Sequence, residues 1–287
     1  MLPLSSLPRW DRAKRGVFVR TLRGFSYDAS RIRLSPGTAI QVPSKRDLLA
    51  LGEKGFSFPG IGPDRFAVKT VEVGGERAAV SAAAKKFGSA LVALQLLQPR
   101  RVEYGDSVAY QPGVRGSARD PWFLEPSEFN PLQLPPRYDL PRREAATLRR
   151  IYSGLTANKN DQVEVALRRY ALGLQRIRAE DSFVDVWIGL EALFSDGPGE
   201  LTYKIALRVA HYLRENPNDR WRVFELLKSS YNARSKVVHG SRPRNLTSVH
   251  RDTEDILREA LRKVALVGRP PGLRTLDVQA VKGHGLT

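Results

Sequence analysis

DSFVDVWIGLEALF, residues 181–194, is apolar almost all the way round a helical wheel. Phe183, Val184, Val186, Trp187, Ile188, Leu190, Leu193 and Phe194 leave no continuous polar face. A helix of that kind is stable where neighbours cover every side, so it belongs in the middle of a bundle. The flanking sequence supplies the neighbours. Helical spacing runs over 142–155, 160–178, 200–215, 218–240 and 248–267, with breaks at Asn158–Asn160, Gly197-Pro198-Gly199, Asn216-Pro217 and Pro243. Gly268 and Pro270-Pro271 end the last helix, and the whole predicts an all-α bundle over 141–268. Residues 269–287 read as a flexible tail.

Upstream of that bundle the pattern changes. Gly16–Phe25, Ile32–Val42 and Phe66–Val73 alternate apolar and polar residues between glycines and prolines, the signature of strands. One helix interrupts them, Glu76–Leu97, with Val80, Ala84, Phe87, Leu91, Leu94 and Leu97 at helical spacing. Arg101–Tyr110 adds a further strand or two, and the proline-rich stretch 111–141 reads as an ordered crossing segment or a linker. The expected class is therefore α+β: a strand-rich mixed domain over 1–140, sensory or regulatory in role, followed by the helical bundle.

Composition narrows the function. The 287 residues are 41% hydrophobic, enough for packed cores, and no apolar run approaches the ~18 residues of a membrane span. The N-terminus, MLPLSSLPRWDRAKRG, lacks the apolar stretch of a secretory signal, which points to the cytoplasm and away from membranes. The absence of cysteine removes disulfides and thiolate metal sites. The net charge is +17, shared between the halves: 21 basic against 13 acidic residues over 1–140, and 26 against 17 over 141–287. Such a field favours a polyanion, RNA or DNA. Arginine outnumbers lysine 35 to 12, as a GC-rich genome would also produce, so charge alone decides nothing.

The residues best suited to chemistry lie in Tyr231–Gly240, YNARSKVVHG. Arginine holds a phosphate through paired hydrogen bonds, and histidine moves protons near neutral pH. Arg234 and His239 thus form a minimal kit for cutting RNA without a metal. The bare spacing is weak, since four histidines among 35 arginines give roughly 0.5 chance matches. Arg244 and His250 form a looser copy, set aside because Arg244 lies beside Pro243 in a loop. No dinucleotide or P-loop glycine pattern is present, and His211, His239, His250 and His284 form no zinc pattern, so no cofactor or metal is expected. Asp181 and Asp185 read as charges at a helix N-terminus, and Lys204 and Arg208 as solvated surface.

The run FVDVWIGLEALFSDGPGELTYKIALRVAHYL, followed by FELLKSSYNARSKVVHGS, resembles the Apea-like branch of the HEPN superfamily. The matching positions are Glu191-Ala192-Leu193-Phe194, Lys204 and Arg208, then Tyr231, Arg234, Ser235, His239 and Gly240, within about residues 145–267. A weaker similarity covers Ala90–Gln98. The resemblance implies a bundle that pairs as a homodimer and acts as a metal-independent endoribonuclease in phage defence, toxin systems or RNA processing. It makes Arg234 and His239 catalytic, with Glu191, Tyr231 and Ser235 supporting them. Lys236, Arg242 and Arg244, close by in sequence, are candidates to hold the RNA backbone. A non-catalytic HEPN module binding RNA, a nucleotide or a regulatory protein partner is the competing reading. Plainer roles also stand open: His239-Gly240 as a helix cap, and Arg234 as the ion-pair partner that Glu191 needs on so apolar a helix.

Overall fold

The computed structural model describes residues 10–51, 66–98, 102–113, 122–125, 138–197, 201–241, 243 and 245–282. The protein is α+β, with antiparallel sheet in its N-terminal part and helices in its C-terminal part. It divides into two compact units, Met1–Thr156 and Ala157–Thr287.

The first unit is a six-stranded sheet in the order β3-β4-β5-β1-β6-β7. Its strands are β1 (Gly16–Arg23), β3 (Arg31–Ser35), β4 (Thr38–Gln41), β5 (Phe66–Glu72), β6 (Glu103–Tyr110) and β7 (Trp122–Glu125). The alternating segment Ile32–Val42 is a hairpin, broken at Pro36-Gly37, rather than one strand. Odd-numbered Val17, Val19 and Ala67 join Val108 and Tyr110 in a core with Ala50 and Leu51 of α1 (Lys45–Leu51). α2 (Glu76–Leu97) packs against β5 and β1, and its Lys86 donates to Glu72 of β5. Among the described helices only α2 has the length and apolarity of a membrane span, and its Ala79, Ala83, Phe87, Ala90 and Leu94 are buried, as in a helix packed on a sheet.

A short parallel pair, β2 (Phe25–Tyr27) with β8 (Tyr138–Leu140), ties residues 138–140 to the start of this unit. The Tyr138 hydroxyl donates to the buried Leu94 carbonyl, Gln98 donates to Glu144, and α3 (Ala145–Ala157) follows. The division into compact units falls after Thr156.

One buried charge organises the first unit. Asp47 is fully buried and accepts from Lys69 (2.7 and 2.9 Å), the Tyr110 hydroxyl (2.7 Å), and the Ser44 backbone and hydroxyl (2.8 and 2.7 Å). Ser44 in turn accepts from the Asp47 amide, so the two form a capping box for α1. Burial opposes the ionised carboxylate, but the bonds from Lys69, Ser44 and Tyr110 together outweigh it and hold the acid below its ordinary range. Burial, with the Asp47 carboxylate beside it, pushes the Tyr110 hydroxyl well up. A depressed carboxylate stabilises the fold above its unfolded value of about 3.9, and that contribution fades as pH falls through the lower folded value. Asp47→Asn is accordingly expected to cost the first unit about 2–3 kcal/mol at neutral pH. Urea unfolding at pH 7 and pH 3 checks this, the difference from the parent shrinking at the lower pH.

The second unit is a bundle of α4 (Asp161–Gln175), α5 (Ala179–Phe194), α6 (Leu201–Leu213), α7 (Pro217–Val238) and α8 (Leu246–Val267), with α9 (Leu273–Lys282) added. α5 touches α4, α6, α7 and α8, as its all-round apolar surface demands. Gly189 permits close approach of α8: a Cβ there would lie 2.7 Å from Leu257 Cδ2.

Three readings need correction here. The expected flexible tail contains α9, which buries Leu276. Arg208 is not solvated surface. It is 2% exposed and donates to both oxygens of Asp277 on α9 (2.7 and 2.8 Å), to Asp196 (3.1 and 2.7 Å) and to the Phe194 carbonyl (2.8 Å). These bonds hold the carboxyls of Asp196 and Asp277 below their ordinary range. Asp185 is likewise no exposed helix-start charge, being buried between Arg169 and Arg176, each at 2.8 Å.

Candidate functional site

α7 carries the candidate residues. It begins at Asn216, whose side chain accepts from the Asn218 amide, with Pro217 in the first turn. It is anchored midway by a one-way chain of hydrogen bonds. The Trp187 indole of α5 donates to the Ser230 hydroxyl (3.0 Å) and Ser230 meets Thr253 of α8 (2.6 Å). Thr253 donates onward to the Val249 carbonyl (2.6 Å), which leaves Ser230 as donor in the middle link. The next residue, Tyr231, stands edge-on to Trp187 with ring centres 5.1 Å apart.

Arg234 lies one turn further. Its Nη2 is 3.3 Å from Glu191 Oε1 on α5, and its guanidinium sits 5.5 Å from the centre of the Tyr231 ring. Both partners are partly exposed, so the ion pair contributes about 0.5–1 kcal/mol and serves mainly to aim the guanidinium. Arg234 Nε is buried and has no hydrogen-bond partner among the described residues. A guanidinium that is oriented and partly exposed is suited to an anion.

His239 forms the C-cap of α7, with φ −88° and ψ 17°. The Gly240 amide donates to the Val237 carbonyl (3.0 Å) and the Ser241 amide to the Lys236 carbonyl (2.8 Å). These two bonds, with Gly240 at φ 80°, make a Schellman cap, a conformation that a side chain at position 240 would strain. Backbone atoms make the cap, so the exposed His239 imidazole is spared; it has no side-chain partner among the described residues. Ser235 contributes its carbonyl to the His239 amide and is half-buried, and Lys236 is exposed. Arg242 and Arg244 lie outside the described residues.

Tyr231, Arg234, Ser235 and His239 thus lie along the C-terminal part of α7, with Glu191 facing Arg234 from α5, but they do not meet at one point in space. Five residues along a helix turn through about 140° and rise about 7.5 Å. Arg234 faces α5 while His239 faces solvent, and a single copy does not aim both at one atom. Among the described residues no group of three or more His, Asp or Glu side chains is placed to hold a metal.

Sequence reasoning passed over two features. His250, set aside as part of a looser pattern, contacts Ser182 Oγ (2.9 Å) and Glu254 (3.5 Å) through the same nitrogen, Nε2, with Phe183 edge-on. Because Ser182 is buried and also donates to the Gly173 carbonyl, this trio is a packing contact without a nucleophile's access. The other is Trp221. It shares one side of α7 with Phe224, Tyr231 and Val238 by helical spacing, and Trp221 and Val238 are largely exposed there.

No known protein family model matches the chain, no curated protein matches it, and no solved structure matches its fold.

Proposed function

We propose that the helical unit is a HEPN-type endoribonuclease that needs no metal, works as a homodimer in the cytoplasm, and serves as a phage-defence or stress effector. The observation that carries this reading is the pairing on α7 of an oriented, partly exposed guanidinium with an exposed imidazole at the helix end that has no side-chain partner among the described residues. The 140° between them is resolved if two copies of α7 face each other across a two-fold axis, each lending its histidine to a shared groove.

In that groove the 2′-oxygen of a ribose attacks the adjacent phosphorus, and its proton passes to His239 of one protomer. The bond from phosphorus to the 5′-oxygen breaks, and that oxygen takes a proton from the second imidazole. Arg234 stabilises the charge that builds on the phosphoryl oxygens. The products are a 2′,3′-cyclic phosphate and a 5′-hydroxyl. Lys236, with Arg242 and Arg244 following it in sequence, holds the neighbouring phosphates. The first unit acts as sensor or restraint, alone or through a regulatory protein partner.

Incubating the purified protein with total RNA in EDTA tests this. Cyclic-phosphate ends are expected from the parent and not from Arg234→Ala. Intact RNA from a folded dimer turns the assignment to a non-catalytic HEPN module. The ion pair that Arg234 makes with Glu191 favours that second reading.

A further inference from the structure

Trp221 and His239 are eighteen residues apart, which is five turns at 3.6 residues per turn, so they lie on the same line along α7. Lys228, Asn232 and Lys236 fall within about 60° of that line, and all are at least partly solvent-accessible. At the far end stands an aromatic cluster. Trp221 is 62% exposed and Tyr203 of α6 is 54% exposed, yet both rest on the buried Phe224, with ring centres 5.7 and 5.4 Å away. Lys228 Nζ lies 5.1 Å from the centre of the Phe224 ring, and Arg222 is open to solvent. Two large aromatic faces held out to water by a third, with cations beside them, is the composition of a nucleobase-stacking platform. An aliphatic seam for a partner helix would present Leu and Ile at these positions instead.

We infer that the Trp221–Tyr203 cluster stacks bases of single-stranded RNA whose backbone then follows α7 to His239. The inference rests on the ribonuclease reading above and extends its substrate to a strand of minimum length. Eighteen residues rise about 27 Å, the length of about eight stacked nucleotides at 3.4 Å each. Acidic neighbours are present on this face: Glu225 holds Lys228 at 3.5 Å and Asp219 holds Arg222 at 3.4 Å. Both are exposed pairs of little worth, which a phosphate readily replaces.

The test uses the full chain carrying His239→Ala to stop turnover, with fluorescein-labelled single-stranded RNA measured by anisotropy in EDTA. One oligonucleotide has about four residues and the other about twelve, bracketing the eight-nucleotide span. Adding Trp221→Ala is expected to weaken the longer RNA about 10-fold and leave the shorter unchanged, while Trp221→Phe restores most of the loss. Equal binding of the longer RNA with and without Trp221 overturns the inference while leaving the ribonuclease reading intact. A change in sedimentation mass on Trp221→Ala also overturns it, assigning the patch to a protein contact. Failure of either RNA to bind the parent sinks both readings together.

Discussion

His239→Ala is expected to slow metal-free RNA cleavage by about 10²–10⁴-fold, the contribution of a positioned general acid or base. The helical unit is expected to melt within about 2 °C of the parent. The two outcomes are separable because of how α7 ends. The Schellman bonds run from the Gly240 and Ser241 amides to the Val237 and Lys236 carbonyls, and alanine at 239 keeps every one of them. The imidazole itself has no partner to lose among the described residues and is exposed. Gly240→Ala gives the complementary result, straining the left-handed cap by about 1 kcal/mol without removing a proton carrier. Cyclic-phosphate ends counted in a timed EDTA digest, with calorimetry on the same samples, check the first variant. Unchanged cleavage by a dimeric His239→Ala protein removes the histidine from the chemistry.

Trp187→Ala carries the largest stability effect. The side chain is fully buried at the centre of the bundle, stacks edge-on with Tyr231, and starts the hydrogen-bond chain through Ser230 and Thr253 to α8. Emptying that volume costs about 3–5 kcal/mol, and the transition of the helical unit is expected to fall by roughly 10–20 °C. The first unit contains none of these contacts. Trp187→Phe fills most of the volume and loses the indole donor, for a cost nearer 1–2 kcal/mol. The same substitutions reach the candidate site, because Tyr231 and Arg234 sit on the wall that Trp187 supports.

Much of this bundle was legible in the sequence, because local periodicity and glycine or proline breaks carry helix positions. The run 181–194 announced its central place, and α4 to α8 lie close to their expected limits. Glu191 advertised its need for a cation, and the ion pair with Arg234 is present. What stayed hidden depends on residues far apart. Leu273–Lys282 is short and follows Pro270-Pro271, and α9 is fastened by Asp277 to Arg208, a link that no spacing rule reveals. The parallel pairing of β2 with β8 is equally remote, joining Phe25 to Tyr138. Exposure was the other gap. An aromatic at helical spacing looks the same whether its side is covered or open, and Trp221 proved open.

The Arg208 knot also sets an order of events at birth. Asp277 is translated 69 residues after the arginine it neutralises, an interval of about 3–14 s at ordinary elongation rates. During that interval the end of α6 and all of α7 and α8 are synthesised while a cation destined for the interior lacks its second carboxylate, relying on Asp196 and the Phe194 carbonyl. The bundle therefore completes its polar interior late, and a nascent chain stalled before Asp277 would hold the α7 residues without the clasp that closes the helices around them.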